Sequence, residues 1–355
     1  MITIKEIAEK AKVSAGTVDR VLHNRGGVSK KTEESVKRVL KENNFTLNVI
    51  ASRLASRKKY HIAALIPKHN SSNLFWKSPL LGILEAAKEV EEYGVKVTNF
   101  LYEQDSQSSY IQEGNHLIDT KPDAVIIAPT FYEETKDIVT RLEEKNIPYL
   151  FLNIDLKGFK NLSFIGQNSF DGGYLAGKLM HLCTRGEHQV LIVQTHLQDH
   201  NYHVTKKRIE GFTSYYKDQI ATLKVVHLNL HTLDNKTIVK EGLHSILSAH
   251  PHIRGIYVPS SRISTIANEI ESQRLKQIRM IGYDTTAPNI QSLKEDKVTF
   301  LISQKSFDQG YQAVLCFSDF FIKKMLPLSR IYSPLEIITK ENISYGKAYK
   351  KGKPL

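Results

Sequence analysis

The feature that most constrains the fold is an alternation of short apolar runs and amphipathic stretches that begins near residue 62. Runs such as 61–67, 124–129 and 148–152 are short and apolar, as buried strands are. Each is followed by a stretch with helical spacing, and this order is typical of a parallel sheet covered by helices. The pattern restarts near residue 172, which predicts two α/β lobes with a cleft between them. Ligands of such sheets bind beyond the carboxyl ends of the strands.

The composition is that of an ordinary globular protein, with 41% hydrophobic and 24% charged residues among 355. It excludes collagen-like, disordered and disulfide-scaffold proteins. No run approaches the roughly 18–20 apolar residues of a membrane helix. The first residues carry charges where a signal peptide needs an apolar core. Cys183 and Cys316 are far apart in sequence, which argues against a zinc cluster and fits a reducing compartment. We therefore expect a cytoplasmic protein.

The positive charge is concentrated at the N-terminus. Residues 1–60 hold 14 lysines and arginines against 6 acids, which is two thirds of the formal charge of +12. A basic segment joined to a nearly neutral remainder is typical of a nucleic-acid-binding module. A merely solvated basic surface is the alternative.

A helix-turn-helix is predicted in this basic segment. Thr3 and Glu6 have the spacing of a capping box, in which two side chains satisfy free backbone donors at a helix start. Ser14 and Ser29 stand where a second and a third helix would begin. Only two residues separate the first and second helices, and so tight a connection is typical of the motif.

The second helix of this motif enters the major groove, with its N-terminal residues at the base edges. Arg20 is expected to pair with a guanine, although a phosphate contact or a free surface position is the alternative. Asp19 either accepts from a cytosine amino group or orients Arg20. Ala15 and Gly16 either touch a thymine methyl or permit close approach. The expected contacts to the DNA backbone after this helix are His23, Asn24 and Arg25.

Three sequence motifs make the N-terminal prediction specific: IKEIA at 4–8, VSAGTVDRVL at 13–22 and VSKKT at 28–32. Together they resemble the DNA-binding domain of the lactose-repressor (LacI/GalR) family. Asp19 stands where the family usually has Ser, which affects the expected operator sequence. The resemblance implies further DNA contacts by Thr3, Ser14, Thr17 and Ser29.

The segment NVIASRLASR at 48–57 resembles the family's hinge helix, which orders on DNA and inserts a leucine into the minor groove. Leu54 matches that leucine, and the resemblance implies DNA contacts by Asn48 and Ala51 as well. Wedging an apolar side chain between base steps costs a few kcal/mol of unstacking, which the contacts of the bent DNA offset. The alternative for Leu54 is an ordinary linker residue. Leu47 stands where the family usually has Pro.

The resemblance extends over the rest of the chain through NLFW at 73–76, FIGQN at 164–168, RIEGF at 208–212 and IGYD at 281–284. It implies a two-lobed, periplasmic-binding-protein-like core in which the chain crosses between lobes three times. We expect the crossings near residues 158, 287 and 322. The implied effector contacts are Asn73, Phe75, Trp76, Asn153, Arg208, Ser260, Asp284 and Gln304.

The chain thus divides into a helix-turn-helix domain at 1–46, a hinge at 47–59 and a two-lobed effector-binding and dimerisation domain at 60–355. The expected lobes are about 60–158 with 287–322, and about 159–286 with 323–345. The C-terminal segment shows no apolar heptads, so a tetramerising coiled coil is not expected.

The residues of the expected cleft have alternative roles. Phe75 and Trp76 either stack on the apolar face of a sugar or belong to the core. Arg208 and Asp284 either hydrogen-bond to ligand hydroxyls or form a structural ion pair. Ile154 falls where many relatives have Arg, which argues against assigning the sugar of a known relative to this protein.

We therefore expect a DNA-binding transcriptional regulator whose operator affinity is controlled by a small molecule between the lobes. Repression is the expected mode of regulation. The partners are double-stranded, pseudo-palindromic operator DNA, a sugar or sugar derivative, and a second copy of the chain. No membrane partner, cofactor or metal is expected. The rival classes are a solute-binding protein, which explains only the core, and a sugar-active enzyme, which needs an acid/base pair in the cleft.

Other known site types have little support in the sequence. The stretch 172–178 fits the GxxxxGK spacing of a phosphate loop, but Leu179 stands where Ser or Thr must bind magnesium. His196, Asp199, His200 and His203 have spacing suitable for a metal, yet a polar loop at the cleft rim is the preferred interpretation.

Overall fold

The structure is a computed structural model that describes residues 3–22, 26–43, 58–70, 73–184, 189–195, 202–219, 224–233 and 235–345. The chain forms two compact units, Met1–Arg57 and Lys58–Leu355. The predicted DNA contacts that lie outside the described residues are His23, Asn24, Arg25, Asn48, Ala51 and Leu54.

The N-terminal unit contains the three helices expected from the sequence. They are α1 (Ile4–Ala11), α2 (Ala15–Leu22) and α3 (Lys30–Glu42). The helix α1 begins with the complete capping box of Thr3 and Glu6. It ends at Ala11, and its C-cap Lys12 adopts a left-handed backbone conformation with φ of 54° that turns the chain directly toward α2. Ser29 caps α3 by accepting from the backbone N–H of Thr32.

A small apolar core holds these helices together. On each helix its members lie on one face, since they recur at helical spacing such as Ile7 and Ala11 or Val18 and Val21. The buried members are Ile7, Ala8, Ala11, Val18, Val21, Val36 and Val39.

The C-terminal unit contains two six-stranded sheets. The strands of the first sheet lie in the order β11-β5-β4-β3-β1-β2 and are parallel throughout. They are β1 (Tyr60–Pro67), β2 (Val95–Tyr102), β3 (Ala124–Ile127), β4 (Tyr149–Leu152), β5 (Ser163–Gly166) and β11 (Arg330–Tyr332). Its connecting and covering helices are α4 (Lys77–Glu91), α5 (Gln107–Asp119), α6 (Tyr132–Glu144) and α13 (Ser306–Ile322).

The second sheet has the order β12-β10-β9-β8-β6-β7, in which only the edge strand β12 is antiparallel. Its strands are β6 (Gln189–Thr195), β7 (Lys224–Leu230), β8 (Ile253–Tyr257), β9 (Arg279–Tyr283), β10 (Phe300–Ser303) and β12 (Glu336–Ile338). Its helices are α7 (Ser169–Cys183), α8 (Tyr202–Gln219), α9 (Lys236–Ala249), α10 (Ile263–Asn268), α11 (Ser272–Leu275) and α12 (Ala287–Lys294). Both faces of each sheet are buried against helices, which explains the continuous apolar runs of the strands.

The chain passes between the sheets at 167–168, 304–305 and 333–335. The predicted crossings near 158, 287 and 322 were therefore placed too early, and so were the lobe boundaries drawn from them. The strand β5 belongs to the first sheet, whereas α12 and β10 precede the second crossing. The physical reason is that β5, β10 and β11 have only three or four residues each, and such a strand is assigned to a sheet by its hydrogen-bonding partner rather than by its own hydrophobicity.

Candidate functional site

An open cavity lies where the carboxyl ends of strands from both sheets meet. Fourteen described residues line it, and all eight predicted effector contacts are among them. Asn73, Phe75 and Trp76 come from the segment that leads into α4, and Asn153 follows β4. The second sheet supplies Arg208 on α8, Ser260 after β8 and Asp284 after β9, while Gln304 begins the second crossing.

Two aromatic side chains form the apolar part of the cavity. Phe75 and Trp76 meet edge to face, with ring centroids 5.1 Å apart and planes at 83°. They are 9% and 3% exposed and also belong to the core of the first sheet. The sugar-stacking and core roles considered for them are thus compatible. Asn73 beside them is buried, and its Nδ2 has no hydrogen-bond partner.

Arg208 is the buried cation of the cavity, with 3% of its surface exposed. Its Nη1 donates to the carbonyl of Pro259 at 2.9 Å, and its guanidinium carbon lies 3.6 Å from the centre of the Tyr283 ring. Its Nε and Nη2 are buried and have no partner. Two unused donors on one planar group suit two adjacent oxygen atoms of a ligand.

Asp284 is the carboxylate of the cavity, and burial raises its pKa to about 6, against the opposing effects of Arg208 and of a hydrogen bond from Gln304. Gln304 Nε2 donates to both carboxylate oxygens, at 2.9 and 3.1 Å. Gln304 Oε1 in turn accepts from Asn153 Nδ2 at 3.2 Å, so these three side chains form one network across the sheets. Asn153 and Asp284 both adopt left-handed backbone conformations, with φ of 68° and 70°.

A buried asparagine fixes the loops that carry the second sheet's site residues. Asn289, near the start of α12, donates to the carbonyls of Ser261, Tyr283 and Asp284 at 2.9–3.0 Å. It also accepts from the backbone of Ser264. These bonds hold the ends of β8 and β9 together, so Ser260 and Asp284 are presented from a rigid base. Ser260 Oγ lies 2.9 Å from Thr195 Oγ1.

The cavity is equipped to bind a polar ligand that offers oxygen atoms and hydroxyls. The buried atoms without partners are three donors (Asn73 Nδ2, Arg208 Nε and Arg208 Nη2) and one acceptor, Gln104 Oε1. Because buried donors without partners each cost about 1–3 kcal/mol, a ligand that satisfies them gains that free energy back. Of the fourteen lining residues, Asp284 alone carries a carboxylate.

The predicted DNA contacts that lie among the described residues of the N-terminal unit fall into two groups. Thr3, Ser14 and Ser29 cap helices: each side chain accepts from a backbone N–H three residues later. Thr17 is the partner of Ser14, with their hydroxyl oxygens 2.9 Å apart. On α2, Ala15, Gly16 and Arg20 are exposed and Asp19 is half-exposed. The helix α2 therefore presents the predicted reading face, while its cap residues fix its N-terminus.

Two family models match the chain. Bacterial regulatory proteins of the lacI family match residues 3–48, and the periplasmic binding protein domain matches residues 62–318. The chain belongs to the LacI family. The predicted family and fold class are thereby confirmed, and the protein is a DNA-binding transcriptional regulator.

Two relatives of this LacI-family regulator match nearly its full length. It is 26% identical to a ribose operon repressor of Lactococcus lactis over 348 residues, covering 97% of this chain and 98% of the relative. It is also 26% identical to a ribose operon repressor of Halalkalibacterium halodurans over 353 residues, covering 98% of each.

Solved structures share the core of the LacI-family regulator. A LacI transcriptional regulator from Bacteroides fragilis matches with a TM-score of 0.74 and 28% identity, over 81% of this chain and 99% of the other. A glucose-galactose binding protein, GanP, from Geobacillus stearothermophilus matches with a TM-score of 0.69 and 21% identity, over 81% and 99%. The similarity to GanP shows only that the two proteins share a fold.

Six of the residues that line the cavity of the LacI-family regulator were not predicted from the sequence. They are Gln104, Thr195, Val204, Thr205, Ser261 and Arg262. Gln104 follows β2 and Thr195 ends β6, so the rule that ligands bind at carboxyl ends of parallel strands would have found them. Val204 and Thr205 lie one helical turn before Arg208 on α8, and only the packing of that helix brings them to the cavity.

Within the described ranges, no helix of the LacI-family regulator is long and apolar enough to cross a membrane. The same residues contain no cluster of three or more His, Cys, Asp or Glu placed to bind a metal ion. His203 is described and exposed, whereas His196, Asp199 and His200 lie outside the described residues.

Proposed function

We propose that the protein is a cytoplasmic repressor whose affinity for a pseudo-palindromic operator is controlled by a sugar or sugar derivative bound in the cavity. The observation that carries this proposal is the cavity itself. It combines an aromatic pair, Phe75 and Trp76, with the buried unused donors of Arg208 and the carboxylate of Asp284. Aromatic faces suit the apolar side of a sugar ring, and charged groups suit adjacent hydroxyls.

The effector contacts in this proposal are the eight predicted residues. Asn73 and Arg208 donate, Asp284 accepts, and Gln304 and Asn153 connect the ligand to the crossing between the sheets. Ser260 adds a hydroxyl at the end of β8. The names of the full-length relatives, which are ribose operon repressors, support a sugar as the effector class.

DNA is bound by a homodimer in this proposal, since two copies of α2 reading a pseudo-palindrome require twofold symmetry. Residues 1–46 form the DNA-binding domain, 47–59 the hinge and 60–355 the effector-binding and dimerisation domain. Arg20 reads a base, Ala15, Gly16 and Asp19 line the same face, and the cap residues contact the backbone. The hinge contacts are Asn48, Ala51 and Leu54.

The rival functions are less well supported. A solute-binding protein has no use for the basic N-terminal unit, whose family model is that of a bacterial regulator. A glycoside-cleaving enzyme works with a pair of carboxyl groups, and the described lining residues include the single carboxylate of Asp284. A regulator that binds its sugar without turnover fits both observations.

The effector is tested by thermal unfolding of the full chain against a panel of free sugars, sugar alcohols, sugar acids and sugar phosphates. A ligand at about 100 times its Kd stabilises the protein by about 2.7 kcal/mol. Asp284→Ala should abolish the shift caused by a hit, and an exposed control, Asp137→Ala on α6, should retain it. A flat panel would overturn the sugar assignment and leave DNA regulation in place.

DNA recognition is tested separately by selecting duplexes from a random pool with the full chain. An inverted repeat should emerge, and the complex should contain two protein copies per duplex. A single half-site bound by one copy would contradict the homodimer.

A further inference from the structure

The three crossings between the sheets lie side by side. The first is Gln167 and Asn168, between β5 and α7; the second is Gln304 and Lys305, between β10 and α13; the third is 333–335, between β11 and β12. The backbone N–H of Ser333 donates to the carbonyl of Gly166 at 2.7 Å, so the third crossing is bonded to the end of β5, directly before the first crossing.

One side chain bonds all three segments together. Gln167 belongs to the first crossing, and its Nε2 donates to the carbonyl of Ser303, which ends β10, and to the carbonyl of Pro334 in the third crossing, both at 3.1 Å. Gln167 is 3% exposed, and it is not one of the residues that line the cavity. Its amide is thus placed to hold the crossings rather than to touch a ligand.

These bonds are continuous with the cavity. Gln304 is adjacent to Ser303 in the chain and lines the cavity. It hydrogen-bonds to Asn153, which follows a strand of the first sheet, and to Asp284, which follows a strand of the second sheet. Gln309 at the start of α13 reinforces this arrangement, because it donates to the Gln304 carbonyl at 2.7 Å and accepts from Asn153. A movement of Gln304 therefore moves Ser303, and Gln167 passes that movement to the other two crossings.

We propose that Gln167 is a positioning residue that bonds the three crossings into a single hinge between the sheets, distinct from the DNA-binding hinge at 47–59. A change at Gln304 in the cavity then rotates one whole sheet against the other. The allosteric use of this hinge rests on the proposed function, in which a ligand occupies the cavity. The hinge itself is a property of the free protein. Coupling between sites needs an element with a few defined conformations. Three crossings that are bonded to one another can adopt fewer conformations than three independent crossings.

The test variant is Gln167→Met, which keeps the length of the side chain and removes both donor bonds. Gln167 Oε1 has no partner, so the substitution removes no accepted bond. The matched control is Gln189→Met at the start of β6, where the Oε1 of a partly buried glutamine also lacks a partner, within a single sheet. Gln167→Glu, which presents a carboxylate to the two carbonyls, is a second variant for use if Gln167→Met does not fold.

The measurement is the distribution of distances between two spin labels in the full chain without ligand, by double electron–electron resonance. The labels occupy exposed positions on opposite sides of the hinge, Lys136→Cys on α6 and Glu241→Cys on α9, in a background of Cys183→Ala and Cys316→Ala.

Gln167→Met should broaden this distribution about twofold, because the sheets then sample several relative orientations. Gln189→Met should leave the width unchanged, even if both variants lower the melting temperature equally. Equal widths in Gln167→Met and the parent would overturn the proposal, because the residue would then contribute only to stability. Since no sugar is present, a flat sugar panel would not affect this result, and the two failures are distinguishable.

Discussion

The guanidinium carbon of Arg208 lies 3.6 Å from the centre of the Tyr283 ring. Tyr283 is the residue immediately before Asp284 in the chain. Arg208 thus gains a cation–π contact and a hydrogen bond to Pro259, while its other two donor atoms stay unused. Tyr283 is itself held by a hydrogen bond between its hydroxyl and that of Tyr257, 3.1 Å apart. The stack fixes the plane of the guanidinium, and with it the direction in which the unused donors point.

Arg208→Met should abolish the thermal shift caused by the effector and change the stability of the free protein little. The substitution loses one hydrogen bond and the ring contact, each worth about 1 kcal/mol, but it also removes two buried donors that cost a similar amount. We expect the free energy of unfolding without ligand to stay within about 1–2 kcal/mol of the parent, as measured by urea denaturation.

The matched control is Arg254→Met, which removes an arginine that bonds to Pro251 and Ile253 away from the cavity and should keep the ligand shift. Arg208→Lys retains the charge but cannot present two donors in one plane, so it should also lose the shift. Retention of the full shift in Arg208→Met would show that the ligand does not contact this residue.

The contribution of Asp284 to the stability of the free protein should fall as the pH rises from about 4 to about 6, and the difference between the parent and Asp284→Asn isolates it from the other titrating groups. Burial raises the pKa of Asp284 to about 6, so in this window the folded protein binds a proton that the unfolded chain has released. The loss amounts to about 3 kcal/mol, since the carboxyl has its ordinary pKa in the unfolded chain and a pKa of about 6 in the folded one. It should be absent in Asp284→Asn, with urea unfolding at a series of pH values as the measurement.

Ligand affinity should show the opposite pH dependence. In the proposed complex a sugar hydroxyl donates to the ionised form of Asp284, so the affinity should decrease as the pH falls below about 6. Asp137→Asn on α6 is the control and should leave both profiles unchanged. A stability profile of Asp284→Asn that matches the parent would assign the pH dependence to other groups.

Arg20→Ala should weaken specific operator binding by about 1–3 kcal/mol, the value of a bidentate pair with a base, and leave non-specific binding nearly unchanged. Arg20 is exposed on α2, where a guanidinium is available to a base edge. The measurement is fluorescence anisotropy with the selected operator and with a scrambled duplex of the same length.

Lys37→Ala is the control within the same unit, because Lys37 lies on α3 and pairs with Glu33 at 2.5 Å. It should preserve the ratio of specific to non-specific affinity. If Arg20→Ala weakened binding to both duplexes equally, Arg20 would contact a phosphate, which is the alternative considered from the sequence.

Gly173→Ala should impair both folding stability and ligand binding. A Cβ at Gly173 on α7 would overlap the backbone carbonyl of Arg208 on α8, so the two helices would have to separate. Overpacking of this kind costs about 1–3 kcal/mol, and here it also displaces Arg208 from the cavity. Thermal unfolding with and without the effector measures both losses.

Gly242→Ala on α9 is the matched substitution, since its Cβ would meet Leu230 only at the ordinary distance of 3.5 Å. The higher helix propensity of alanine should then stabilise the protein by about 0.5–1 kcal/mol, without an effect on the ligand shift. A Gly173→Ala protein with parental stability would show that the helices tolerate the separation.

The structure answers two questions that the sequence left open at the site. Phe75 and Trp76 were assigned either to the core or to the ligand, and they serve the core while also lining the cavity. Arg208 and Asp284 were considered as a structural ion pair, but Arg208 is held by a ring and a carbonyl and Asp284 by Gln304. Such choices depend on which groups lie within a few ångström, and spacing along the chain does not contain that information.

The sequence by itself determined the local elements and their class. The caps at Thr3, Ser14 and Ser29 act over three residues, and the alternation of strands and helices follows from short-range patterns of hydrophobicity. Because parallel strands end at the same edge of a sheet, even the clustering of residues such as Asn153 and Asp284 was predictable once the strands were assigned.

Only the tertiary structure decided where the chain crosses between the sheets and what holds the crossings together. The strand β10 joins the second sheet and β11 the first because of their hydrogen-bonding neighbours, which are far away in sequence. The bonds from Gln167 to Ser303 and Pro334 span more than a hundred residues, and no local pattern marks a glutamine for that role. Long-range hydrogen bonds of buried polar groups are set by the folded geometry, and at this hinge they connect the candidate cavity to the relative orientation of the two sheets.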